Sequence, residues 1–230
     1  MNFANIGVIA LALFASSQAS AVGTEVRVQA TSIGWYKASG THQAFNPNTL
    51  TGVLAGVEYR SFYVWNLPSF EGIVDSARIE FDLQYSLGVS GSSTQNGTVY
   101  DVTQSNVSSL PLNNGGAQGE NIFGDLGSGS QLGGFTIRPS DALTVFQVAL
   151  NSNAIESLNS LSGGTFAVGI RNTTPGNTGN YFLFSSGSFP STQTLVLSIS
   201  PVPEPSSLLL LTLGTAALFA RARVGSTKGR

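Results

Sequence analysis

The chain has 230 residues and a formal net charge of −2, with charged residues making up only 10% of it against roughly 25% in an average globular chain. From Val22 to Val202, six Lys/Arg stand against eleven Asp/Glu, a net of −5, so the body lacks the clustered cations that nucleic-acid binding requires. The absence of cysteine excludes disulfides, thiolate metal sites and cysteine nucleophiles, so stability has to come from a packed core.

Residues 1–21 read as a secretory signal helix. Gly7–Ala15 is an apolar core, and Ala19-Ser20-Ala21 supplies the small residues of a cleavage site, which places the mature start near Val22. Strand character follows. Glu25 to Gln29 alternates polar and apolar residues at the period of a half-buried strand. Ile33 to Gly56 is rich in Gly, Asn and Thr and reads as a loop, carrying Trp35, Tyr36 and the single histidine, His42. Arg60 to Leu67 is apolar or aromatic on both faces, the pattern of a strand covered on both sides. Ile79, Phe81, Leu83, Tyr85 and Leu87 then share one face, with Arg78, Glu80, Asp82, Gln84 and Ser86 on the other.

Thr98–Thr103 reads as a further strand, and residues 104–134 as a long Gly/Asn/Ser region, either an exposed loop or a loosely ordered insertion. Phe135–Arg138 and Leu143–Leu150 return to strand. Asn153 and Glu156 have capping-box spacing, which predicts a helix over Ala154–Leu161 that stops at Gly163-Gly164. Phe166–Ile170, Tyr181–Phe184 and Thr194–Ile199 are the last predicted strands.

The chain ends in three parts. Pro203-Glu204-Pro205 is followed by an uncharged run over 206–220, and Arg221 and Arg223 form a basic stop. The expected domains are therefore a signal peptide (1–21), a β-sandwich (22–201) and a terminal segment (202–230) with a transmembrane helix at about 206–220. The fold expected is all-β, an antiparallel β-sandwich of the jelly-roll type, flanked by the N-terminal signal helix and the C-terminal transmembrane helix.

Val202-Pro203-Glu204-Pro205, the apolar run Leu208–Ala220 and the arginines at 221 and 223 resemble the PEP-CTERM sorting signal of bacterial surface proteins. That resemblance implies recognition by the export machinery and an exosortase-type membrane protease. It also implies transient membrane anchoring through the C-terminal helix, then release to the cell surface or extracellular matrix. Residues 60–89, with the closing stretch FLFSSGSFPSTQTLVLSI, are similar to bacterial surface jelly-roll modules of the DNRLRE kind, which bears on fold more than function.

Chemistry in the body is sparse. His42 has no recognisable nucleophile elbow beside it and reads as a solvated loop histidine. Glu80 and Asp82 share a strand face as paired carboxylates would, but Arg78 beside them favours ion pairing over hydrolysis. Glu120 and Asp125 lack the dense Asp/Asn spacing of a calcium loop. The reading is accordingly a non-enzymatic exported protein with no cofactor or metal. The alternative is a carbohydrate-binding module for exopolysaccharide, using Trp35 and Tyr36 as an aromatic platform, while Trp65 belongs to the core.

Overall fold

Alternating apolar residues build two antiparallel sheets. The computed structural model describes residues 23–46, 48–83, 88–89, 94–141, 144–176, 179–184 and 192–202. In chain order the strands are β1 (Thr24–Gln29), β2 (Ser32–Lys37), β3 (Leu50–Leu54), β4 (Val57–Asn66), β5 (Ile73–Asp82), β6 (Gly88–Val89), β7 (Gln95–Asp101), β8 (Gln131–Ile137), β9 (Val145–Ala149), β10 (Thr165–Asn172), β11 (Tyr181–Leu183) and β12 (Gln193–Ser200). The helices are α1 (Gln104–Val107), α2 (Gly116–Asp125) and α3 (Ser152–Ser160). One sheet runs β1-β12-β5-β9. The other runs β6-β11-β3-β4-β10-β7-β8, with β2 also paired to β4.

The two sheets enclose one core. Leu195, Leu197 and Ile199 of β12 and Ile79 and Phe81 of β5 meet Tyr63 and Trp65 of β4 and Phe166, Val168 and Ile170 of β10. Residue 64 and its even-numbered neighbour 62 point the other way. Phe62, Val64, Tyr36 and Ala167 form a second apolar cluster with Val107, Leu110, Ile122, Phe123 and Leu126. A helical layer of α1 and α2 thus covers the outer face of the larger sheet, and β4 is buried on both sides as its sequence predicts.

That layer replaces the loop expected at 104–134. Three glycines make α2 a poor helix by propensity, so tertiary contacts hold it. Arg60, 8% exposed, donates from Nη1 to the carbonyls of Phe123 at 2.6 Å and Gly124 at 3.2 Å. Its guanidinium also lies 4.0 Å from the Phe123 ring centroid. A buried cation thereby caps the C-terminus of α2, where the helix dipole is negative. Burial lowers the Arg60 pKa and Glu58 opposes the shift, so the group stays charged. On its other side α2 meets the turn after β2 backbone to backbone. A Cβ on Gly119 would overlap the carbonyl oxygen of Gly40, which itself has a φ of +76°.

The loop expected over 33–56 is also corrected, because β3 and all but the first residue of β2 lie within it. The predicted helix is present as α3, but its cap is Asn151 and not Asn153. Asn151 Oδ1 accepts from the backbone N–H of Asn153 at 3.0 Å and of Ala154 at 3.2 Å.

The expected frame of a sandwich flanked by an N-terminal signal helix and a C-terminal transmembrane helix is overturned. Among the described residues no helix is long and apolar enough to cross a membrane. The longest, α2, has ten residues and spans about 15 Å, half a bilayer's hydrocarbon core. The chain is a mostly-β fold, and residues 1–21 and 206–220, where the signal and transmembrane helices were expected, lie outside the described residues. Anchoring by a C-terminal helix, and a membrane partner or location reached that way, are withdrawn with it.

Candidate functional site

The residues singled out in the body fall into three separate places. Trp35 and Tyr36 are consecutive in β2, so their side chains point to opposite faces. Tyr36 is fully buried in the helical-layer cluster. Its hydroxyl donates to the carbonyl of Leu110 at 3.1 Å and accepts from Asn114 Nδ2 at 2.6 Å. Trp35 is half-buried and meets Tyr59 edge-on at 5.2 Å. The two aromatics form no common platform. Trp65 lies in the core, its indole N–H directed at the carbonyl of Gln193.

His42 is 3% exposed, not a solvated loop residue. It stacks on Tyr36 at 4.8 Å and meets Phe62 edge-on at 5.4 Å. Nδ1 lies 2.8 Å from the Trp35 carbonyl, which can only accept, so Nδ1 carries the proton. Burial lowers the His42 pKa, partly offset by that bond, and the ring is neutral. Its buried Nε2 has no partner among the described residues. With no hydroxyl or thiol donor on it, the ring serves as packing and as a backbone plug.

Glu80 and Asp82 do not work as a pair. Glu80 belongs to a ring of charges on the outer face of the smaller sheet. Arg27 bridges Glu80 and, at 3.0 Å, Glu25; Arg78 bridges Glu80 at 2.9 Å and Glu25 at 3.1 Å. Burial pushes the Glu80 pKa up, but bonds from Arg27 and Arg78 outweigh it and leave the carboxyl below the usual range. A general acid of a glycoside hydrolase needs the opposite shift. Beneath the ring lies Val196, fully buried although it faces outward from β12. Arg27 and Arg78 stand opposite it on either side, so their aliphatic stems flank and cover it.

Glu120 is exposed and Asp125 is occupied. Asp125 accepts from the Thr103 N–H at 2.9 Å, the Thr103 hydroxyl at 2.7 Å and Asn106 Nδ2 at 2.9 Å, fastening α1 to the end of α2. Among the described residues no group of three His, Cys, Asp or Glu is placed to hold a metal.

The chain leaves the body from β12, an interior strand of the smaller sheet. Ile199 pairs with Thr24 at the start of β1 and with Val74 near the start of β5. Ser200 donates its hydroxyl to Asp75, and the next two residues emerge exposed, Val202 at 58%. Pro201 fixes the exit in an extended direction. Residues 201–224 match the PEP-CTERM protein-sorting motif. The motif thus begins at the first residue after β12, and its Pro203, Glu204, Pro205, Arg221 and Arg223 lie outside the described residues. No curated protein matches the chain. The motif match supports export and sorting by an exosortase-type system. It does not reach the body, so the resemblance of residues 60–89 to DNRLRE-like modules gains no support from it.

Proposed function

We propose that the chain is a non-enzymatic surface or extracellular-matrix protein, exported and then processed at its PEP-CTERM motif by an exosortase-type protease. The observation that carries the reading is the position of the motif. It starts where β12 ends, and its first two residues, Pro201 and Val202, are exposed, so the matched segment begins outside the folded core. The body supports the reading through its chemistry: His42 is buried and neutral, Glu80 is held ionised by two arginines, and Asp125 is committed to α1. Intact-mass measurement of the exported protein tests it. The expected mature form ends between Pro203 and Ser206, and a form retaining Arg230 refutes processing at the motif.

Carbohydrate binding is the second reading. It keeps Trp35, half-buried against Tyr59, and loses Tyr36 to the interior. A polysaccharide pull-down compared between the native protein and Trp35→Ala decides it. Retention that is absent, or unaltered by the substitution, removes Trp35 as a sugar platform.

A further inference from the structure

Two open edges of the sandwich lie on one side, β2 in the larger sheet and β1 in the smaller, and the fold treats them differently. Along β2, outward groups toward its closing end are met by its own chain. Lys37 N–H donates to the Thr41 carbonyl, Gly40 N–H donates to the Lys37 carbonyl, and His42 Nδ1 donates to the Trp35 carbonyl. At the far edge of the smaller sheet the chain just past β9 is met, by the bridge between Gly133 and Leu150 and the bond from Asn151 N–H to the Leu132 carbonyl. Among the described residues nothing pairs with the outer edge of β1.

The phase of that edge follows from one bond. Ala30 N–H donates to the Gln193 carbonyl, so residues 24, 26 and 28 face β12, and Glu25, Arg27 and Gln29 turn their backbone groups outward. Charged residues usually blunt such an edge. Here Arg27 and Glu25 reach back across β12 to Glu80 and Arg78, leaving the backbone beside them uncovered.

We propose that the outer edge of β1 pairs antiparallel with β1 of a second copy of this chain, joining the two smaller sheets into one. The sequence Thr24-Glu25-Val26-Arg27-Val28 is self-complementary about Val26. With Val26 opposite its symmetry mate, Glu25 lies opposite Arg27 of the second copy in a hydrogen-bonded pair, twice over. Opposite charges so placed are stabilising. Shifting the pairing by two residues in either direction sets Arg27 against Arg27 or Glu25 against Glu25. A shift of one destroys the hydrogen-bond phase and swaps the faces. The edge therefore specifies both its partner and its register. A two-fold axis through the Val26 pair closes the contact, so assembly stops at the dimer.

The chain has no cysteine, so cross-linking reads the register directly. Val26 would form a non-hydrogen-bonded antiparallel pair with itself, with Cα atoms about 4.5 Å apart, within disulfide reach. Full-length Val26→Cys, oxidised in air, is expected to run as a disulfide-linked dimer, and Thr24→Cys as monomer. Sedimentation of the native protein is expected to show a doubled mass at about 100 µM, and Glu25→Arg or Arg27→Glu alone to weaken the dimer about tenfold. Mixing these two variants one to one restores complementarity and is expected to restore the dimer, with melting curves confirming that each is folded. A monomeric native protein, equal cross-linking at Thr24→Cys, or a dimer that Val26→Cys fails to link overturns the assignment.

Discussion

Replacing Arg60 by alanine tests whether one buried cation holds the helical layer on the sheet. The side chain makes two bonds to carbonyls at the end of α2, at 2.6 and 3.2 Å, and lies over Phe123. Charge-assisted bonds contribute about 1.5 kcal/mol each at the low end, and the ring contact about 1 kcal/mol. Water reaching the freed carbonyls returns part of this. Glu58 keeps Arg171 as an ion partner at 3.3 Å, so no uncompensated carboxylate is left behind. The net expectation is a loss of about 3 kcal/mol for Arg60→Ala. Arg60→Lys should recover less than half of it, because an ammonium cannot reproduce the fork. Urea unfolding gives the total, and amide exchange of residues 116–126 locates it. A loss below about 1 kcal/mol with unchanged exchange in α2 would refute the capping role.

The same layer yields a paired test on α2. Gly119→Ala should destabilise by more than about 2 kcal/mol despite its better helix propensity, because the methyl group collides with Gly40. Gly124→Ala, with open space around the added carbon, should stabilise by about 0.5–1 kcal/mol, and opposite signs in chemical denaturation are the check. Stability should also fall with acid in two steps. The pKa of His42 is depressed below 6.5 by burial, so its contribution is complete above pH 6.5 and is lost as pH falls through the folded value. Bonds from Arg27 and Arg78 depress Glu25 below 4.5. The same arginines depress Glu80 against its burial, so both contributions are present above pH 4.5 and disappear below it. In melting curves His42→Asn should abolish the upper step and spare the lower; an unchanged upper step would show that another group titrates.

Much of the body was legible because its strands have one wet face. β1 and β5 alternate cleanly; β12 enters the sheet where its periodicity predicts, and β5 does so over 78–82 but begins earlier, at Ile73, while residues 84–87 of the predicted strand lie outside the described residues. β2 was missed because its two faces are both covered, by the core and by the helical layer, so Ile33-Gly34-Trp35-Tyr36 has no polar face to reveal a period of two. α2 was missed for a different reason: Gly116, Gly119 and Gly124 argue against a helix, and what keeps it is contact with Arg60 and Gly40, distant in sequence. Arg60 opens an otherwise apolar strand, and a cation in that position is the one local sign in the sequence of a buried acceptor. The terminal motif was legible from residue order alone, while His42 was not, since nothing local announces that Tyr36 and Phe62 will enclose it.

The place of β12 has a temporal consequence. Among the described residues it is the last strand, yet it lies between β1 and β5, and β1 has no other partner there. A chain interrupted before residue 193 therefore lacks Leu195, Leu197 and Ile199 from its core, and its first strand is unattached. Such long-range closure is slow compared with local structure. The polypeptide thus stays incomplete, and threadable through a narrow channel, until its closing strand has passed. That strand is followed at once by the sorting motif, so completion of the fold and synthesis of the motif become a single late event.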